Sequence, residues 1–160
     1  MDTDSDSPAR DLVLVRNLRA DDAEALIAID AASVGRRRDR FLALKMKQAF
    51  ADTGIAVSLV AELDDHVVGF VLARVYYGEF GVLEPAAVLD VLGVHPDYRR
   101  RRVASALIDQ LRTNLLGLGI PKLQTEVQWS NTELTSFFQH EGFTLAPRLC
   151  LDLDLDRTRT

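Results

Sequence analysis

Residues 88–118, VLDVLGVHPDYRRRRVASALIDQLRTNLLGL, constrain the fold more than any other part of the chain. They read as a buried strand, a tight arginine-rich turn and a long helix. The strand is apolar on both faces except at Asp90, as a central strand is. Gly93 near its end marks a bulge or the close approach of another backbone. Pro96 ends it. The helix carries Val103, Leu107, Leu111, Leu115 and Leu118 at three- and four-residue spacing, a stripe that needs a sheet or helix to cover it. Between the two, Arg99, Arg100, Arg101 and Arg102 run consecutively. The first amides of a helix have no partner within it, and the aligned peptide dipoles add positive potential there. A strand, turn and helix of this kind is an anion site, suited to a diphosphate.

The remaining segments read as support for that unit. Residues 11–18 alternate as a first strand. Asp21 and Glu24 form a capping box for a helix whose face is Ala25, Leu26 and Ile29. Residues 36–50 read as a second, mostly buried helix with Phe41, Leu42, Leu44, Met46 and Phe50; its GRRRDR start is a loop over the site. Residues 55–63 and 67–77 are strands joined by a turn at Asp64, Asp65 and His66. Residues 76–84 form a loop before Pro85. Gly117 and Gly119 stop the long helix, and residues 122–129 alternate as a strand. Ser130 and Glu133 form a second capping box, opening a helix with Leu134, Phe137 and Phe138. Residues 143–145 and 149–155 are expected closing strands, the latter with strict Leu/Asp alternation. The order β-α-α-β-β-β-α-β-α-β-β defines an α+β fold around a mixed sheet. It fills one domain, residues 11–156, with a disordered tail at 1–10 and a short tail at 157–160.

Composition sets limits. A net charge of −5 argues against general nucleic-acid binding, where a basic surface supplies most of the affinity. No apolar run approaches the roughly 18 residues of a membrane span, and the first ten residues lack the apolar core of a signal peptide. The lone Cys150 excludes an internal disulfide and fits a reducing, cytoplasmic setting; it reads as a buried apolar residue. His66, His95 and His140 are scattered without metal-ligand spacing, so no metal is expected.

Two motifs then carry a resemblance. VHPDYRRRRVASALID at 94–109 resembles the acetyl-CoA motif of the GCN5-related N-acetyltransferase (GNAT) superfamily, Q/R-x-x-G-x-G/A after V-x-P-x-Y/W. Asn131 to Phe143, N-x-x-L-x-x-F-F-x-x-x-G-F, resembles its carboxy-terminal motif. Their separation and the element order match the family over nearly the whole chain. The resemblance implies a mostly antiparallel sheet with a splayed strand pair and flanking helices. It implies acetyl-CoA as cosubstrate. Backbone amides from Arg99 through Arg102, Val103, Ala104 and Ser105 would wrap its diphosphate. Leu92, Gly93 and Val94 would pair with the pantetheine arm, inserted where the strands beginning at Ala86 and Lys122 part. Asn131 would lie near the arm and also caps its helix. The expected activity is direct transfer of acetyl to a primary amine, either a small molecule or a protein lysine or amino terminus. Homodimers are frequent in the family, with Trp129 or residues 149–155 available to an interface.

This chain departs from the pattern twice. Arg102 stands where the family has a glycine; a helical φ there would not demand one. Phe138 stands where the family has a tyrosine that serves as general acid. Glu126 resembles the glutamate of the ribosomal-protein amino-terminal acetyltransferases, where it acts as base through water; otherwise it is a solvent-facing strand carboxylate. Asp90, alone in an apolar strand, is the second candidate for proton transfer, or a structural acceptor at a bulge. Tyr76, Tyr77 and Glu79 shape an acceptor pocket, supply the missing hydroxyl acid, or are an ordinary aromatic strand end. The loss of the tyrosine at 138 also admits a second reading, a catalytically weak acyl-CoA-binding or regulatory module.

Overall fold

The computed structural model describes residues 12–51 and 55–156; the expected tails at 1–10 and 157–160 lie outside the described residues. The chain divides into two compact units, the first ending at Glu126 and the second beginning at Val127.

The first unit is built on a five-stranded sheet whose strands lie in sequence order. They are β1 (Leu14–Asn17), β2 (Leu59–Leu63), β3 (His66–Tyr76), β4 (Ala86–Val94) and β5 (Leu123–Thr125). The first four run antiparallel, and β5 runs parallel to β4. Helices α1 (Ala23–Val34) and α2 (Asp39–Ala51) follow β1, and α3 (Val103–Gly117) joins β4 to β5. A two-residue turn joins β2 to β3 because Asp64 and Asp65 both adopt positive φ (49° and 63°), which matches the twist of the flanking strands.

Alternation along β3 sends its side chains to two covers. Phe70 and Leu72 pack with Leu26 and Ile29 of α1 and Leu42 and Met46 of α2. On the other face a Cβ at Gly69 would lie 2.7 Å from Val103 Cγ1 of α3, so the helix packs at a distance only glycine allows. The buried stripe of α3 is Val103, Leu107, Ile108, Leu111 and Leu115. Leu118 is 51% exposed, because α3 has already ended. In α2, Leu42 and Met46 are buried, but Leu44 and Phe50 are about half exposed, so this helix is amphipathic rather than enclosed. Each fully buried leucine or isoleucine contributes about 1.5–3 kcal/mol of transfer free energy.

A second polar anchor holds β1 to α1. The Arg16 guanidinium grips both oxygens of Asp22 at 2.8 and 2.9 Å and donates to Glu62 of β2 at 2.8 Å. Asp22 also accepts the Arg19 N–H at 2.7 Å. The expected Asp21 cap is therefore displaced by one residue: a 3-10 turn, Ala20–Asp22, leads into α1, and Asp22 closes it.

In the second unit, α4 (Thr132–His140) is capped by Asn131, whose side chain accepts the Leu134 N–H at 3.1 Å. Of the two caps read from the sequence, Asn131 is the one formed, and the Ser130 capping box is displaced by one residue. The expected closing strands do not form: residues 143–156 make no ladder, and Leu145, Leu149, Leu151, Leu153 and Leu155 are 80–92% exposed. Leu/Asp alternation specifies which face of a strand is apolar, but a strand also needs a partner for its backbone. Cys150 is exposed in the same segment, not buried. Among the described residues no helix is long and apolar enough to cross a membrane.

The Arg16 guanidinium holds the buried Asp22 carboxyl below its ordinary range. A depressed folded value stabilises the fold above the unfolded pKa of about 3.9 and is lost as pH falls through the folded value. Asp22→Asn is expected to lower stability at pH 7 by about 2–4 kcal/mol, since it leaves Arg16 without its bidentate partner. Urea denaturation from pH 6 down to pH 3 is expected to show a shallower pH dependence in the variant than in the parent.

Candidate active site

The site begins where β4 loses one neighbour. Ala87, Val88 and Leu89 pair with Leu123, Gln124 and Thr125 of β5, and there the parallel pairing stops. The Thr125 hydroxyl closes the seam by donating to the Leu89 carbonyl at 3.0 Å. On its other edge β4 stays paired to β3 as far as Gly69↔Val94. Residues 90–94 therefore keep one strand edge open to a ligand, and Leu92, Gly93 and Val94 stand on it. A strand edge offers alternating donors and acceptors, the chemistry that recognises an extended amide chain.

A bulge shapes the same place. The β3–β4 register shifts between Leu72↔Val91 and Ala73↔Leu89, leaving Asp90 as the extra residue. On the other edge of β3, just before β2 begins, the Ser58 hydroxyl accepts the Ala73 N–H at 3.0 Å and donates to the Ala73 carbonyl at 3.1 Å. Gly93 is required for packing, because a Cβ there would come within 2.5 Å of the Phe70 ring.

Asp90 is not alone in its apolar strand. Its carboxylate accepts from Arg74 Nε at 3.2 Å and lies 3.9 Å from Lys45 Nζ of α2. Nearby, the Tyr76 hydroxyl donates to Gln124 Oε1, tying β3 to β5 across β4. Tyr77 is 54% exposed, and Glu79 begins a short 3-10 turn beyond the strand. Glu126 follows Thr125 directly, so it is exposed at the mouth of the seam.

After β4 the chain makes a 3-10 turn, Pro96–Tyr98, with His95 Nδ1 accepting the Asp97 N–H at 3.2 Å. Arg99, Arg100, Arg101 and Arg102 follow, all exposed. Arg99 reaches Ser33 of α1 at 3.3 Å, and Arg101 lies over the Tyr98 ring. Arg100 and Arg102 adopt φ of 65° and 60°. The expectation of a helical φ at Arg102 is thus corrected: it is the N-cap of α3 in the left-handed region, a conformation for which glycine has no steric penalty. The chain turns sharply there into α3, and the Arg102 side chain does not cap its first amides. The first bond of the helix runs from Ala106 N–H to the Arg102 carbonyl, so the amides of Val103 and Ala104 precede the ladder. Ser105 belongs to the same first turn. This cradle fits a diphosphate, and the open β4 edge fits an amide-bearing arm leading from it.

The other two candidates lie in the second unit. Asn131 is the α4 cap, and Phe138 is buried, with ring centroids 5.4 and 4.9 Å from Phe137 and Phe143. Among the described residues no cluster of His, Cys, Asp and Glu is arranged to hold a metal ion.

Ser58, Lys45, Arg74 and Thr125 were not legible as site residues. A usable signal existed for one pair: Arg74 and Asp90 are the lone charges in the apolar runs of two successive strands.

Residues 20–143 match the acetyltransferase (GNAT) family, and the chain belongs to it. Its fold is shared by several solved structures. The aminoglycoside N-acetyltransferase AAC(6′)-Iy in complex with CoA is 19% identical, with a TM-score of 0.75 over 92% of this chain and 98% of that one. A ribosomal-protein-alanine N-acetyltransferase from Brucella melitensis biovar Abortus 2308 is 21% identical, with a TM-score of 0.70 over 89% of this chain and 99% of that one. A transcriptional regulator from Bacillus halodurans C-125 is 17% identical, with a TM-score of 0.72 over 89% and 99%.

The strain at position 102 is measurable. A left-handed L-residue costs about 1–2 kcal/mol, and the extra freedom of an unfolded glycine returns about 0.5–1 of that. Arg102→Gly is expected to stabilise the protein by roughly 0.5–1 kcal/mol in urea denaturation, and Arg102→Val to destabilise it. A less stable glycine variant would contradict the strain.

Proposed function

We propose that the protein is an N-acetyltransferase that moves an acetyl group from acetyl-CoA to a primary amine by direct attack. The observation that carries this reading is the opening of the β4–β5 seam at residue 90, on the strand that leads into the N-terminus of α3. Acetyl-CoA supplies an acetyl group activated as a thioester. The amides from residue 99 to Ser105 hold its diphosphate, with the arginine side chains adding screening rather than specific geometry. The open edge at Leu92, Gly93 and Val94 pairs with the pantetheine amides and orients the carbonyl. Asn131 matches the asparagine of the family's carboxy-terminal motif, which supports assigning it a part in cofactor binding.

In the transfer itself, the amine nitrogen bonds to the carbonyl carbon, the carbon–sulfur bond breaks, and the amine gives up a proton. Glu126 takes that proton through water, from its exposed place beside the seam. Asp90 serves by fixing its strand and its two cations. With phenylalanine at 138, the sulfur leaves as thiolate, a tolerable leaving group because a thiol pKa is about 8.5. The acceptor is a small amine or an amine of a protein, the two kinds named for AAC(6′)-Iy and for the Brucella enzyme. Phe138 also supports a second reading, a module that binds acyl-CoA without efficient transfer. We place the protein in the cytoplasm, and a homodimer is its proposed assembly.

Acetyl-CoA is expected to raise the melting temperature; no shift at millimolar cofactor would remove the binding reading. Single-turnover CoA release separates enzyme from module, since a module gives no acceptor-dependent release. Glu126→Gln is expected to lower kcat about a hundredfold with unchanged cofactor affinity. An unaltered rate across pH would exclude Glu126 as base.

A further inference from the structure

The face of the sheet beside the open edge carries an unbalanced charge. Even-numbered residues of β3 point to the α1–α2 side: Phe70 and Leu72 are buried there, and Arg74 and Tyr76 continue the row beyond the apolar cover. Lys45 of α2 and Arg74 both turn to the one carboxylate of Asp90. Arg74 makes that contact through Nε, so the bond to Asp90 does not use its two terminal amino groups. Lys45 stands at 3.9 Å, too far for a hydrogen bond. All three side chains are partly withdrawn from solvent: Lys45 is 25% exposed, Arg74 38% and Asp90 14%. Two cations over one carboxylate leave about one positive charge uncompensated, in a chain whose net charge is −5. Asp90 is also the first β4 residue past the seam, so the excess charge lies at the start of the open edge.

We propose that Arg74 and Lys45 form a carboxylate subsite for the acceptor, and that the acceptor is a primary amine bearing a carboxylate, of amino-acid type. This rests on the acetyltransferase reading of the same site. The planar fork of Arg74 matches a carboxylate in two parallel hydrogen bonds, and Lys45 adds a point charge. Asp90 holds both cations in place and satisfies part of their charge when no acceptor is bound. With its acid end anchored there, the acceptor presents its amine toward the open edge of β4. A polycationic acceptor meets net repulsion at the same spot.

Matched pairs test this: L-lysine with cadaverine, L-tyrosine with tyramine and L-phenylalanine with phenethylamine, alongside a polycationic aminoglycoside. Binding to the protein saturated with CoA is read by calorimetry, and acetyl transfer by CoA release. The amino acid of a pair is expected to bind and react at least about tenfold better than its decarboxylated partner. Arg74→Gln is expected to erase that ratio, Arg74→Lys to restore part of it, and both to keep the melting shift given by acetyl-CoA. Should Arg74→Gln fail to fold, Lys45→Gln is read in the same way and is expected to reduce the ratio. Amino acids that bind in an Arg74-dependent way without transfer would sink the transferase reading and leave the subsite standing. Transfer with equal or better use of the decarboxylated amines or the aminoglycoside would overturn the subsite and leave the transferase. Absence of any preference in binding and in transfer would overturn it as well.

Discussion

A strand inside a sheet has two backbone edges to satisfy, and β4 satisfies both only as far as Leu89. Everything proposed about the protein depends on that one interruption. Below it, three residues of β5 seal the seam, reinforced by the Thr125 hydroxyl and the Tyr76–Gln124 bond. Above it stand the bulge at Asp90 and the left-handed turn at Arg102 that leads into α3. The supporting structure is conventional by comparison: two helical covers with apolar stripes, and a charged anchor at Arg16 and Asp22.

The central unit was legible because its punctuation is covalent. Pro85 and Pro96 bracket β4, and the strand lies between them as their punctuation predicts. The stripe on α3 was legible from Val103 to Leu115 because helical periodicity reports a buried face. It misassigned Leu118 because periodicity does not report where a helix stops. Arg102 shows a different limit. The family pattern has glycine there, and the reason is a positive φ, which no side-chain pattern of this chain reveals. The closing strands failed for a third reason. Alternation in residues 149–155 is a statement about faces, whereas strand formation is a statement about partners.

The site shows the same division. The half proposed for the cofactor is made of backbone, and a sequence motif can point to backbone. The half proposed for the acceptor is made of side chains from α2, β3 and β4 that meet only in three dimensions. Asp90 stood out as an isolated acid, yet its meaning changed once Arg74 and Lys45 were beside it. A lone carboxylate in an apolar strand suggests proton chemistry; a carboxylate shared by two cations is a clamp.

The contact between Gly93 and the Phe70 ring has a consequence for how such a protein can diverge. Phe70 belongs to the cluster beneath α1 and α2, and Gly93 belongs to the open edge. One ring therefore bears on both the volume of the core and the path of β4 along its open edge. A change of size at position 70 is felt in two places at once, in the packing beneath the two helices and in the backbone of the strand.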